Sequence, residues 1–102
     1  MKTKIPDTVY LFPTRFTIED ISREECASYK GRLDYSQREI RIEFTLHSED
    51  KKSTILHEIV HAIFTSASIE MPGETTIEVL SNGFLNIIRG NKDLMAWLSE
   101  IE

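Results

Sequence analysis

Two histidines four residues apart, in a stretch that reads as helix, constrain this chain more than any other feature. His57-Glu58-Ile59-Val60-His61 spells H-E-x-x-H. Residues four apart on an α-helix share a face, with Cβ atoms roughly 5–6 Å apart, so both imidazoles reach one cation at about 2.0–2.1 Å per Zn–N bond. His57 and His61 thus supply two corners of a tetrahedral site. Glu58 lies about 100° round the helix from His57 and about 60° from His61, close enough to reach a water at the cation but angled away from ligation. That position suits a general base. Most other positions here are apolar (Ile55, Leu56, Ile59, Val60, Ile63, Phe64), so the helix is expected to be buried on several sides. Burying two imidazoles and a carboxylate without a partner is costly, which argues for a bound metal. Ligand type points to zinc, one per chain, although nickel and cobalt also accept imidazole and carboxylate.

Around that helix the chain reads as α+β, β-rich first and α-rich second. Val9–Phe12 and Phe16–Ile18 are expected strands, with Pro13 between them marking an edge or bend. A clearer hairpin follows: Ser28–Leu33, the polar turn Asp34–Gln37, then Glu39–Phe44, where Ile40, Ile42 and Phe44 alternate with Glu39, Arg41 and Glu43. This small antiparallel sheet or hairpin is expected to pack its apolar face on the H-E-x-x-H helix. Ser48 is the expected N-cap of that helix, which should run to about Ser66. Met71-Pro72-Gly73 breaks the chain, and a second, amphipathic helix is expected from about Glu74 to Arg89, with Ile77, Leu80, Phe84, Ile87 and Ile88 on its apolar face. Gly90 is read as its C′ residue and Asn91 as the cap of a short last helix, whose Leu94, Met95, Trp97, Leu98 and Ile101 are read as core.

With 102 residues, one domain spanning 1–102 is expected. A net charge of −5 and only short runs of one sign make nucleic acid and anionic membranes poor partners. No apolar run approaches a membrane span or a signal sequence, and Cys26 is the only cysteine. A reducing cytoplasm is the simplest setting, with Cys26 as a small buried residue.

A catalytic zinc takes three protein ligands and leaves one position open. The third is expected from the second helix or the loop before it. Glu78 is the leading candidate, because with Ser81, Asn82 and Leu85 it defines a side distinct from the apolar stripe. Glu74, one turn earlier on the same side, is the second. The extended form H-E-x-x-H-x-x-G-x-x-H is excluded by Phe64 and Ala67. His47 is read as a surface histidine, with oxyanion stabilisation or substrate binding as the alternative.

Glu78-Val79-Leu80-Ser81-Asn82-Gly83-Phe84, following the H-E-x-x-H helix at this interval, resembles the E-x-x-x-N-x-F segment of the ImmA/IrrE-type metallopeptidases. The chain is more closely similar to the small zincin-like metallopeptidases encoded by phages and prophages, over roughly residues 31 to 98. Gly31-Arg32-Leu33-Asp34-Tyr35, Ile40-Arg41-Ile42, Ile87-Ile88-Arg89-Gly90-Asn91 and Trp97-Leu98 carry the rest of the likeness. The resemblance implies a gluzincin-like site with His57, His61 and Glu78 on zinc, Glu58 as base and proton shuttle, and Asn82 supporting a ligand. Members of the wider family cleave repressors of mobile elements and often carry a helix-turn-helix domain; a chain of this length is expected to hold the peptidase domain alone.

The expected chemistry is hydrolysis of a protein or peptide substrate, in the host cytoplasm if the chain is phage-encoded. Glu58 takes the proton of the attacking water and passes it to the leaving amine. His47, Tyr35, Tyr29 and Arg41 are candidate oxyanion or substrate partners, and an extended peptide is expected along the hairpin edge. The rival is a non-catalytic, zinc-stapled protein-binding module, such as a phage or prophage regulator. Glu58 argues against it, since a structural site has no use for a base. A metal-dependent nuclease is disfavoured by the acidic charge.

Overall fold

Alternation of apolar and polar residues builds the sheet, and helical spacing builds the layer against it. The computed structural model describes residues 4–26 and 29–101, with the side chains of Arg23 and Cys26 outside the description. The Cys26 assignment, the Ser28 start of the hairpin and the first residues of the N-terminus therefore lie outside the described residues. The elements are β1 (Thr8–Leu11), β2 (Thr14–Ile21), α1 (Arg23–Cys26), β3 (Gly31–Asp34), β4 (Glu39–Glu43), α2 (Ser48–Ser66), α3 (Glu74–Gly90) and α4 (Lys92–Leu98).

The four strands form one sheet in the order β1-β2-β4-β3. Both hairpins are antiparallel, but β2 pairs with β4 in parallel, Ile18 opposite Ile40 and Asp20 opposite Ile42. The sheet is thus mixed, which corrects the expected all-antiparallel arrangement. The most buried strand, β4, takes a central place, and the intervening α1 and β3 supply the crossover that a parallel pair needs. Ile40 and Ile42 lose all solvent contact there.

One face of the sheet carries α2. Phe16, Ile40, Ile42 and Ala62 form the core cluster, with Ile18, Leu33, Tyr35, Ile55 and Ile59 against it. The alternation fails at the end of β4. Phe44 is 51% exposed and Glu43 is buried. Glu43 accepts hydrogen bonds from the Thr45 amide and hydroxyl, and α1 packs across this end of the strand.

Gly31 lets β3 lie hard against α2. A Cβ there would overlap Thr54 Cγ2 and stand 2.9 Å from the Arg41 carbonyl oxygen. Only a residue without a side chain fits, so glycine sets how near the sheet edge comes to the histidine-bearing helix.

Two helix boundaries differ from the sequence expectation, the N-cap of α2 and the end of α3, whereas α2 ends at Ser66 as expected. His47, not Ser48, is the N-cap of α2, and no side chain caps that end. Ser68 closes α2 in the left-handed region (φ 56°), with its amide donating to the Thr65 carbonyl. Gly90 is the last residue of α3 and has no positive φ; the turn falls at Asn91, whose Nδ2 donates to the Ile87 carbonyl at 3.1 Å. An ion pair between Arg89 and Glu49 ties the C-terminal end of α3 to the N-terminal end of α2, so the two helices run antiparallel. The stripe on α4 is not core: Leu94, Trp97, Leu98 and Ile101 are exposed, and α4 has no buried residue. Among the described residues, no helix is long and apolar enough to cross a membrane.

Candidate metal centre

The four-residue spacing on α2 brings His57 and His61 edge to edge, with Nε2 atoms 3.2 Å apart. Antiparallel packing then lays the first turn of α3 across them. Glu74 Oε2 stands 2.8 Å from His57 Nε2, and Oε1 stands 3.1 Å from His61 Nε2. A tetrahedral ion with bonds of about 2.0–2.1 Å separates its ligand atoms by about 3.3–3.4 Å. The three separations, two of them from different Glu74 oxygens, are somewhat shorter than such edges, and one ligand atom from each of His57, His61 and Glu74 lies within 4.8 Å of the others, close enough for a small cation to be held among them with a slight opening of the cluster. Among the described residues this is the one group of three or more His, Cys, Asp or Glu arranged to hold a metal.

His61 Nδ1 stands 3.2 Å from Met71 Sδ, which only accepts. In the tautomer protonated on Nδ1 that contact is a hydrogen bond and the Nε2 lone pair is available to a cation; in the other, Nε2–H donates to Glu74 Oε1 at 3.1 Å. Burial holds His61 below the usual imidazole range, which keeps it the neutral ligand form.

Glu58 faces the same cleft and is 8% exposed. Its burial raises the carboxyl above the ordinary range; His57 opposes that shift and Glu74 adds to it. A carboxylate moved upward is better matched to accept and return a proton near neutrality.

The cleft itself, about 610 Å³, lies between α2, α3 and β3. Glu78 and Asn82 line it one and two turns beyond Glu74, with the buried Ser81 between them. Of the two carboxylates considered from sequence, Glu74 is the one brought against both imidazoles; Glu78 shares the cleft but stands outside the ligand cluster. Tyr29 is at the cleft, with the Arg32 guanidinium 5.9 Å from its ring centre. His47 and Tyr35 are not brought to it. His47 caps α2, about 15 Å along the axis from His57 at 1.5 Å per residue. The Tyr35 hydroxyl pairs with Ser66 Oγ at 3.0 Å and its ring packs on Phe16. Arg41 is held by Glu39 and Asp34 on the far strand face.

One contributor escaped the sequence reading: Met71 gave no signal beyond standing before Pro72-Gly73. The hairpin edge expected to take a peptide is the backbone of β3. The Glu43 amide donates to the Lys30 carbonyl at 2.9 Å, and Arg32 lies opposite Arg41 in the register. By antiparallel alternation, Lys30 and Arg32 turn their backbone groups to β4, whereas Gly31 and Leu33 turn theirs outward from the sheet, along the cleft. No family model, no curated protein sequence and no solved structure matches this chain, so a functional assignment rests on the chemistry of these residues.

Proposed function

We propose that the protein is a zinc-dependent metallopeptidase. The observation that carries this reading is the convergence of His57 Nε2, His61 Nε2 and a Glu74 oxygen within 4.8 Å of one another, next to the buried Glu58 and beside β3, the edge strand of the sheet among the described residues. His57, His61 and a carboxylate from α3 hold the ion. Glu74 is favoured by its contacts, and Glu78 by the resemblance to the phage-type zincins. A bound zinc supplies Lewis acidity, polarising a carbonyl and lowering the pKa of water toward about 7.

The remaining work falls to side chains and backbone of this chain. The outward N–H and C=O groups of Gly31 and Leu33 bind an extended peptide as a fifth strand, setting its scissile bond across the cleft from α2. Glu58 accepts a proton from the attacking water as oxygen adds to the carbonyl carbon. The same carboxyl returns that proton to the amide nitrogen as the C–N bond breaks, and the second water proton passes from the new carboxyl group to the amine, giving a carboxylate and an ammonium group. Asn82 lies where it can steady the α3 carboxylate or the peptide.

The test combines metal content with one substitution. Protein purified without a metal-affinity tag is expected to carry about one zinc per chain by plasma mass spectrometry. Glu58→Gln is expected to keep that zinc and lose peptide hydrolysis. Zinc retained with hydrolysis unchanged would sink the catalytic role of Glu58. Zinc at one per chain with no hydrolysis in the unaltered protein would leave the ion as a staple between α2 and α3.

A further inference from the structure

We propose that two copies of this chain associate about a two-fold axis through the C-terminal half of α3 and the stripe of α4. Phe84, Ile87 and Ile88 on α3 are 42–45% exposed, and Leu94, Trp97 and Leu98 on α4 are 41%, 64% and 59% exposed. Spacings of three and four residues put each trio on one side of its helix. The trios flank the corner at Asn91, where the side chain ties back to the Ile87 carbonyl.

The exposed area matches a second copy. With about 150–250 Å² accessible on a large side chain, these exposures leave roughly 600 Å² of apolar surface per chain. A standard interface covers about 800 Å² per partner and is about 65% apolar in homodimers, which amounts to about 520 Å² of apolar cover. Roughly 600 Å² is also at the top of the range for a patch left open on one monomer.

The domain has reason to need this cover. Its fully buried apolar residues among those described are Phe16, Ile40, Ile42, Val60, Ala62 and Ile77, all from the sheet, α2 and the first turn of α3. No part of α4 is in that set, and a seven-residue helix is not stable alone in water. Packed antiparallel on its copy and centred near residue 96, α4 sets Leu94 against the copy's Leu98 and Leu98 against the copy's Leu94. The contact is then self-complementary, as a two-fold interface requires.

The interface leaves the metal centre open. Glu74 and Glu78 lie at the N-terminal end of α3, and Ile87 follows Glu78 by nine residues, about 14 Å along the helix. Dimerisation therefore stands or falls apart from the peptidase reading.

Sedimentation velocity of the full chain from about 1 to 100 µM is the test. A species near twice 11.8 kDa is expected to saturate with concentration. Trp97→Glu is expected to raise the dimer dissociation constant at least about thirtyfold, the scale of a central aromatic anchor. Ala96→Glu, on the opposite side of α4, is expected to leave it within about threefold, and circular dichroism checks that both variants keep their helix content. A monomer throughout the range overturns the proposal. So does association without a plateau, or an equal response to both substitutions, since either marks indiscriminate apolar contact.

Discussion

Removing the α3 carboxylate tests the geometry of the metal centre most directly, because two candidates one turn apart are distinguished by contact alone. Glu74 stands 2.8 Å from His57 Nε2 and 3.1 Å from His61 Nε2, whereas Glu78 lines the cleft outside the cluster. Glu74→Ala leaves two imidazoles and solvent to complete the coordination. Loss of an outer group that merely orients a ligand costs about 10–100-fold in affinity, so loss of a ligand costs at least tenfold, or about 1.4 kcal/mol. The side chain of Glu74 is 72% exposed, so water readily takes its place, which holds the expected loss toward hundredfold and not far beyond. Glu78→Ala is expected to change affinity by less than about threefold. Competition against a chromophoric zinc chelator at pH 7.5 reads both constants on folded protein. Wild-type affinity in Glu74→Ala with a tenfold loss in Glu78→Ala would move the ligand one turn along α3. Wild-type affinity in both would refute the argument from tetrahedral edges.

Three further outcomes follow from contacts elsewhere. Met71→Leu keeps the bulk beside His61 but removes the acceptor for Nδ1–H; because a thioether accepts weakly, zinc affinity is expected to fall by about tenfold or less, and an unchanged value in the same competition assay would reduce Met71 to packing. Gly31→Ala forces a methyl group onto Thr54 Cγ2 and the Arg41 carbonyl, at an expected cost of about 1–3 kcal/mol in urea unfolding. Combining it with Thr54→Ser should recover part of that loss, whereas purely additive losses would place the strain elsewhere. Ser68→Gly relieves a left-handed conformation after α2 and is expected to stabilise the protein by roughly 0.5–1 kcal/mol in thermal or urea unfolding; a destabilised variant would mean that the serine side chain matters more than its φ.

What was legible in the sequence is what depends on neighbours along the chain. The α2 helix, its histidine face and the β3–β4 hairpin follow from periods of 3.6 and 2, and the structure places α2, β4 and the end of β3 within a residue of the expected bounds. The parallel pairing of β2 with β4 was not legible, because it joins strands separated by α1 and β3 and no local pattern encodes it. Phe44 continued the alternation by type, yet the chain leaves the sheet after Glu43 to enter α2, so the phenylalanine stays in solvent and the carboxylate is covered instead.

The same limit applies to the candidate metal centre. A helical wheel puts Glu74 and Glu78 on one side of α3, and the sequence cannot choose between them because the choice is an axial offset between two helices. That offset is marked at both ends: the Met71-Pro72-Gly73 break sets where α3 starts, and the exposed Arg89–Glu49 ion pair, worth at most about 1 kcal/mol, joins its far end to α2. Sliding α3 by one turn, about 5.4 Å, would exchange the two glutamates at the histidines and also separate Arg89 from Glu49. The α4 stripe shows the complementary case. Spacing identifies the side that avoids water, but it does not say what lies opposite, and for Leu94, Trp97 and Leu98 nothing within the described chain does. Charge reversal at Arg89 therefore probes both: Arg89→Glu loosens the end of α3 that registers Glu74 against His57 and His61, and zinc affinity should fall although residue 89 lies some 20 Å along the helix from residue 74. Zinc affinity equal to wild type in that variant would show that the loop at Met71–Gly73 alone sets the register of the two ligand-bearing helices.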